Sequence, residues 1–152
     1  MPTLAARPSL RLVAGILAGL PGYAVLDGDA SLRQRPVARI IEPLRSMGAE
    51  LHARRGDSLP PVTVVGHTPL RAIEFTTLVP SAQVKSAILL AGLYAGGETT
   101  VREPHLSRDH SERMLKHFGA DIKACGTEVT IRGGQELQAQ EIVVPGDISS
   151  AA

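Results

Sequence analysis

The chain has 152 residues, 43% of them hydrophobic, with 16 basic and 15 acidic side chains and a formal charge of +1. That suffices for one globular domain burying roughly 70% of its unfolded surface. The interspersed charges, with two Tyr, two Phe and no Trp, exclude a nucleic-acid binder that works by net charge or base stacking.

Residues 1–8 show no periodicity, and Pro2 and Pro8 argue against a helix through them. From Ser9 the pattern is helical, with Leu10, Val13, Leu17 and Leu20 on one stripe, until Pro21-Gly22 stops it. The apolar run 12–20 is broken by Gly15 and Gly19, is too short to span a bilayer and carries no signal-cleavage pattern. Cys125 is the only cysteine, so no intrachain disulfide can form. It reads as a small buried or half-buried side chain, and the pattern suits a reducing cytosol. A soluble, cytoplasmic protein with no membrane partner is expected.

Residues 23–26 read as a short strand and 27–34 as a polar loop. Arg35-Pro36 opens a second helix with proline at its favoured first position. Ile40, Ile41, Leu44 and Met47 form its apolar stripe, and Gly48 ends it. Residues 50–54 and 62–65 read as strands around a Gly-Asp-Ser loop closed by Pro60-Pro61, and residues 70–77 as a further strand.

The stretch 80–97 follows. It opens with proline and Ser81, holds Gln83, Lys85 and Ser86 in its first two turns, and is then apolar on nearly every side until Gly96-Gly97. That is the pattern of a buried helix, polar only at its start. Ser81 is a good N-cap, and the amides behind it lack intrahelical acceptors at the positive end of the dipole, where an anion can be held. By local sequence alone, a plain cap on a core helix is the commoner case. Beyond it, 99–102 reads as a strand, 103–108 as a polar loop, and 109–118 as a helix with Met114, Leu115 and Phe118 apolar. Gly119 ends that helix, 122–125 and 129–132 are strands, and Gly133-Gly134 is a turn. His105, His110 and His117 have no acidic or cysteine partner at a familiar ligand spacing, so no metal site is expected.

The order repeats. Ala14-Gly15-Ile16-Leu17-Ala18-Gly19-Leu20 matches Ala87-Ile88-Leu89-Leu90-Ala91-Gly92-Leu93, and Met47-Gly48-Ala49 matches Phe118-Gly119-Ala120. The repeating unit is strand, helix, strand, helix, strand, strand. Residues 9–66 make an incomplete unit, 67–134 a complete one, and 135–152 the start of a further one, with a strand at 142–144 and a helix opening at 147–152. Residues 1–8 are unassigned. Such a chain reads as a piece of something longer.

Three stretches carry a family resemblance: Gly28-Asp29-Ala30-Ser31-Leu32-Arg33-Gln34-Arg35-Pro36, the run from Ser81-Ala82-Gln83 to Leu93, and Ser107-Arg108-Asp109-His110-Ser111-Glu112-Arg113-Met114-Leu115. From about residue 9 to the end the chain resembles the 5-enolpyruvylshikimate-3-phosphate synthases, most closely the bacterial class whose loop reads Ser-Ala-Gln. The resemblance implies an α+β fold, the inside-out α/β barrel of the enolpyruvyl transferases, with two domains of three βαβαββ units each. This chain would cover about two of the three units of the N-terminal-side domain. It implies transfer of the enolpyruvyl group of phosphoenolpyruvate to the 5-hydroxyl of shikimate 3-phosphate, in the shikimate pathway of aromatic amino acid biosynthesis, with no metal or organic cofactor.

Residue by residue, the resemblance places the phosphate of shikimate 3-phosphate on Ser81, the backbone of Ala82, and Ser107. It directs Gln83 to the hydroxyl side of the same substrate and Arg35 to phosphoenolpyruvate. Arg11 matches an arginine of the family's Gly-Thr-x-x-Arg signature, whose glycine and threonine positions are here Arg7 and Pro8. That puts substrate binding on this side in doubt. Lys85 either reaches the site or faces solvent. The family's general acid and base groups lie on its second domain and on an N-terminal lysine segment. No catalytic residue is therefore assigned, the isolated chain is expected not to turn over, and its uncovered core is expected to promote self-association. Two alternatives remain: the related transferase acting on UDP-N-acetylglucosamine, whose cysteine-bearing loop has no counterpart here, and a non-catalytic module retaining at most a phosphate site.

Overall fold

The computed structural model describes residues 9–143. The elements follow in the order α1 (Ser9–Ala18), β1 (Gly22–Leu26), a 3-10 turn (Leu32–Gln34), α2 (Ala38–Ser46), β2 (Glu50–Ala53), a tight turn α3 (Arg54–Asp57), β3 (Leu59–Gly66), β4 (Glu74–Thr76), α4 (Ala82–Gly92), β5 (Glu98–Arg102), α5 (His110–His117), β6 (Ile122–Cys125) and β7 (Glu128–Arg132).

Two sheets result. One has the order β1-β3-β2, antiparallel throughout; the other has the order β4-β5-β7-β6, with β4 parallel to β5 and the rest antiparallel. The order β5-β7-β6 reproduces β1-β3-β2, so the sequence repeat is also a repeat of topology, with α1 matching α4 and α2 matching α5. The position matching β4 falls before Ser9, outside the described residues. Ile142 and Val143 carry no strand, and Val144, the expected helix opening at 147–152 and residues 1–8 lie outside the described residues as well.

The helices form one core between the sheets. Helix α4 is buried almost all round, through Val84, Ala87, Ile88, Leu89, Ala91 and Gly92 and also through Lys85 and Ser86. A helix this apolar has no solvent face to offer and must lie at the centre of a core. Helix α1 packs along it with Leu10, Ala14, Gly15 and Ala18. Gly15 lies directly against the backbone of Ala87, where a Cβ would collide with the carbonyl oxygen. Small residues along α1 thus permit the approach that joins the two units.

Each unit also fastens its first helix to its own last strand. The His67 N–H donates to the Ala18 carbonyl and the Gly134 N–H to the Leu93 carbonyl, both at 2.9 Å. These bonds satisfy carbonyls that a helix end leaves without donors. Gly66 and Gly133 allow them, since a Cβ at either would collide with a carbonyl oxygen of the helix end, that of Leu20 or of Ala95.

Several elements differ from their sequence reading. Pro36 precedes α2 rather than opening it, and Val37 is the cap residue, its N–H donating to the Ser58 carbonyl at 2.9 Å. Pro60 and Pro61 lie within β3, but its pairing with both neighbours stops at Val62, so neither proline is asked for a ladder hydrogen bond. The strand expected at 70–77 is confined to Glu74–Thr76, with a single bridge from Leu70 to Ala95. The Arg71 N–H instead donates across to the Met47 carbonyl at 2.8 Å, which draws that stretch out of the sheet toward the first unit. Helix α4 is shorter than 80–97 because the chain turns at Leu93 to pair its next carbonyls with Leu70 and Gly134. Cys125 is exposed rather than buried, near the end of β6 on the outer edge of its sheet. Met114 is likewise exposed, and α5 packs through Glu112 and Leu115.

Candidate functional site

The four longer helices begin close together. Arg11, in the first turns of α1, donates one guanidinium nitrogen to the Gln83 side-chain oxygen in the first turn of α4 and the other to the Pro36 carbonyl, just before α2, at 2.6 Å. On the far side of α4, Ser86 Oγ meets Ser111 Oγ, in the first turn of α5, at 2.6 Å. The positive ends of four helix dipoles therefore face one region.

At the start of α4, Ser81 adopts an extended backbone (φ −155°, ψ 99°), and its hydroxyl oxygen accepts from the Val84 N–H at 3.4 Å. The first helical bond runs from the Lys85 N–H to the Ser81 carbonyl at 3.0 Å. The Ala82 and Gln83 amides lie ahead of it and have no intrahelical acceptor. Ser81, Ala82 and Gln83 are all half-buried. The cap expected from sequence and the free amides expected behind it are both present in the geometry.

Arg11 sits among other cations. Burial lowers its pKa first, and the charges of Arg39 and Arg35 lower it further. The Arg11 guanidinium beside Gln83 thus feels those of Arg39 and Arg35, and among the described residues none of the three has a carboxylate partner. Like charges placed together without a counter-ion are unfavourable unless an anion completes the arrangement. Arg39 also borders a cavity of about 240 Å³, shared with Glu42, Phe75, Thr77, Leu78 and Ser81. Sequence reasoning identified Arg35 and Arg11 and missed Arg39. The signal available was its spacing from Arg35, four residues along the chain into the first turn of a helix.

Lys85 does not face solvent, contrary to one of its two sequence readings. Its side chain is 4% exposed, and its amine pairs with Glu103 Oε2 at 3.0 Å and with Glu112 Oε1 at 2.6 Å. The fifth residue of α4 turns inward, where two carboxylates from the second unit receive it. Glu103 Oε1 also accepts from the Ser81 N–H at 2.8 Å, and Oε2 from the Ser107 hydroxyl at 2.7 Å. The one hydroxyl proton of Ser107 is therefore committed to Glu103. Burial raises the Glu103 pKa, but its bonds from Ser107, Ser81 and Lys85 outweigh that and hold it below its ordinary value. Burial likewise pulls Lys85 down, and its bonds and attraction to Glu112 and Glu103 leave it net raised.

The sign of the pH effect follows. A lowered carboxyl contributes stability that is complete above its ordinary value of about 4.5 and lost as pH falls through the lower folded value. A raised amine contributes stability that is complete below about 10.5 and lost as pH rises through its folded value. Urea midpoints measured from pH 6 downward should stay level until about pH 4.5 and then fall, and Glu103→Gln should flatten that decline. Asp27 and Asp57, also lowered but exposed, contribute the residual slope. An acid limb as steep in Glu103→Gln as in the parent would contradict the assignment.

The family model described as EPSP synthase (3-phosphoshikimate 1-carboxyvinyltransferase) matches residues 4–152. A protein of Geobacter metallireducens named 3-phosphoshikimate 1-carboxyvinyltransferase is 58% identical over 144 residues, covering 95% of this chain and 33% of that protein. One of the same name from Anaeromyxobacter dehalogenans is 60% identical over 144 residues, covering 95% and 32%. The solved structure of EPSP synthase from Acinetobacter baumannii superposes with a TM-score of 0.89 at 47% identity, over 96% of this chain and 33% of that one. The chain thus spans about a third of the length of the relatives it matches. Among the described residues no helix is long and apolar enough to cross a membrane.

Proposed function

Since this chain belongs to the EPSP synthase family, we propose that it carries one side of a site in which enolpyruvyl passes from phosphoenolpyruvate to the 5-hydroxyl of shikimate 3-phosphate. In that reaction a bond forms between the hydroxyl oxygen and the enolpyruvyl carbon, the bond from that carbon to the phosphate oxygen breaks, and inorganic phosphate leaves. Both substrates are small polyanions, and fixed donors orient them better than mobile ones.

The observation that carries the reading is the bond between Arg11 and Gln83, with Arg35 and Arg39 alongside. It joins the residue assigned to the hydroxyl side of shikimate 3-phosphate to the cation cluster assigned to phosphoenolpyruvate, so the two substrates would lie side by side. The phosphate of the first is placed at the α4 start, on Ser81 and the Ala82 amide, with Ser107 near. Arg35 would grip the second, with Arg11 set by Gln83 and Pro36 rather than free to move. In this reading Lys85 has no contact with substrate. The chain forms part of an N-terminal-side domain, acid–base groups come from the second domain, and the reaction takes place in the cytoplasm.

Titration calorimetry tests it. The chain should give measurable heat with millimolar shikimate 3-phosphate and no enolpyruvyl transfer of its own. Arg35→Ala should weaken phosphoenolpyruvate, titrated into the shikimate 3-phosphate complex, by roughly 10- to 100-fold, the loss of one charge-assisted hydrogen bond. It should leave shikimate 3-phosphate within about twofold. Absence of heat at millimolar shikimate 3-phosphate would overturn the assignment.

A further inference from the structure

We infer that Glu103 is a positioning residue that holds the two halves of the phosphate cradle, Ser81 and Ser107, in register with each other. The inference rests on the shikimate 3-phosphate reading of the α4 start.

Its geometry is particular. Glu103 directly follows β5, and its own N–H donates to the Thr127 carbonyl at 2.9 Å, so its backbone is fixed to the turn between β6 and β7. Its side chain is 2% exposed. From there one carboxylate accepts from two segments at once: Oε1 from the Ser81 N–H at 2.8 Å, Oε2 from the Ser107 hydroxyl at 2.7 Å. The first bond fixes the peptide at which the backbone turns from extended into helical, and so aims the Ala82 and Gln83 amides. The second fixes the hydroxyl of a loop residue that no strand or helix holds. Without Glu103, no hydrogen bond among the described residues ties the 103–109 loop to the start of α4 on this side.

A carboxylate beside an anion site works against it, and one buried ammonium offsets part of that charge. Lys85 places its ammonium on Glu103 Oε2 at 3.0 Å. Glu112 takes the other side of the same ammonium, its second oxygen being buried without a hydrogen-bond partner. A core helix needs no such group: Lys85 is flanked on α4 by buried Val84, Ile88 and Leu89, and apolar residues in place of a buried ion network are commonly neutral or stabilising. What the network supplies here is a fixed distance between two substrate-binding segments. The assignment also changes the part played by Ser107. Its proton points at Glu103, so it faces a ligand with its oxygen until the hydroxyl turns.

Glu103→Gln leaves one ammonium paired with one carboxylate, Lys85 with Glu112, so the chain is expected to fold. Three readouts are taken on the full 152-residue chain. Without ligand, hydrogen exchange at the Ser81 amide should quicken at least tenfold in Glu103→Ala, which removes its acceptor, while Ile88 changes little. With shikimate 3-phosphate, a cycle of Glu103→Gln and Ser107→Ala should be non-additive. Glu103→Gln should weaken binding at least tenfold alone and less than twofold in the Ser107→Ala background, which a merely structural role would not produce. In the unsubstituted chain the Glu103 carboxyl carbon resonance should move as shikimate 3-phosphate saturates, a measurement that needs no variant to fold. Additive losses, or a Glu103 resonance that stays still while the ligand binds, overturn the positioning role alone. A parent chain whose Ser81 amide is protected but which binds no shikimate 3-phosphate overturns the underlying site, and the positioning role with it.

Discussion

Lys85→Met is expected to cost about 3–5 kcal/mol of folding stability, the range for removing one partner of a buried ion pair. Lysine and methionine are similar in length and volume, so the loss would not come from a cavity. It would come from Glu103 and Glu112, whose side chains are 2% and 8% exposed and which would be left without their shared cation. One carboxylate would keep its bonds from Ser81 and Ser107; the other would keep nothing among the bonds described. The triple variant Lys85→Met with Glu103→Gln and Glu112→Gln removes all three charges and should recover more than half of the loss. Urea unfolding followed by circular dichroism measures both. If Lys85→Met unfolds within about 1 kcal/mol of the parent, the buried network is not what the geometry describes.

The second large effect is at the join between the two units. Gly15→Ala adds one methyl group where the Ala87 carbonyl oxygen already stands, with the Ala87 carbonyl carbon 2.9 Å from the new Cβ. The obstacle is backbone in the middle of a buried helix, which cannot swing aside as a side chain would. Overpacking usually costs 1–3 kcal/mol, and with no route to relax, a loss of at least about 3 kcal/mol is expected. The shift would also part Arg11 from Gln83, since both sit at the same ends of the two helices. The denaturation midpoint reads the first effect and shikimate 3-phosphate calorimetry the second. An unchanged midpoint would mean that α1 and α4 do not meet at this point.

Much of this was legible from the sequence. Ser81 with its polar first turns and the matching runs at Ala14 and Ala87 each combine a local rule with a second occurrence or a neighbour, and two weak signals together fixed position and order. The α4 start, the unit topology and the family followed from them. What stayed hidden depends on contacts far apart in the chain. Lys85 reads as a surface residue because lysine is seldom buried, and only the fold brings Glu103 and Glu112 to it. Glu103 itself begins an unremarkable polar loop. The shortened strand before α4 was invisible for the same reason, since Arg71 gives its amide to Met47 in another unit. Cys125 was misjudged from type alone: it closes an edge strand whose last three residues are exposed.

The bonds from His67 to Ala18 and from Gly134 to Leu93 bear on how such a fold can lengthen. The carbonyl end of each first helix is met by the residue after a closing glycine, His67 for Ala18 and Gly134 for Leu93, and the amide end is left open. A unit with that property can be duplicated in tandem with this helix end already satisfied, and every copy brings two more amide ends to the common mouth. Growth by copying thus enlarges the capacity for anionic ligands in step with the core, before any side chain in the mouth has been chosen.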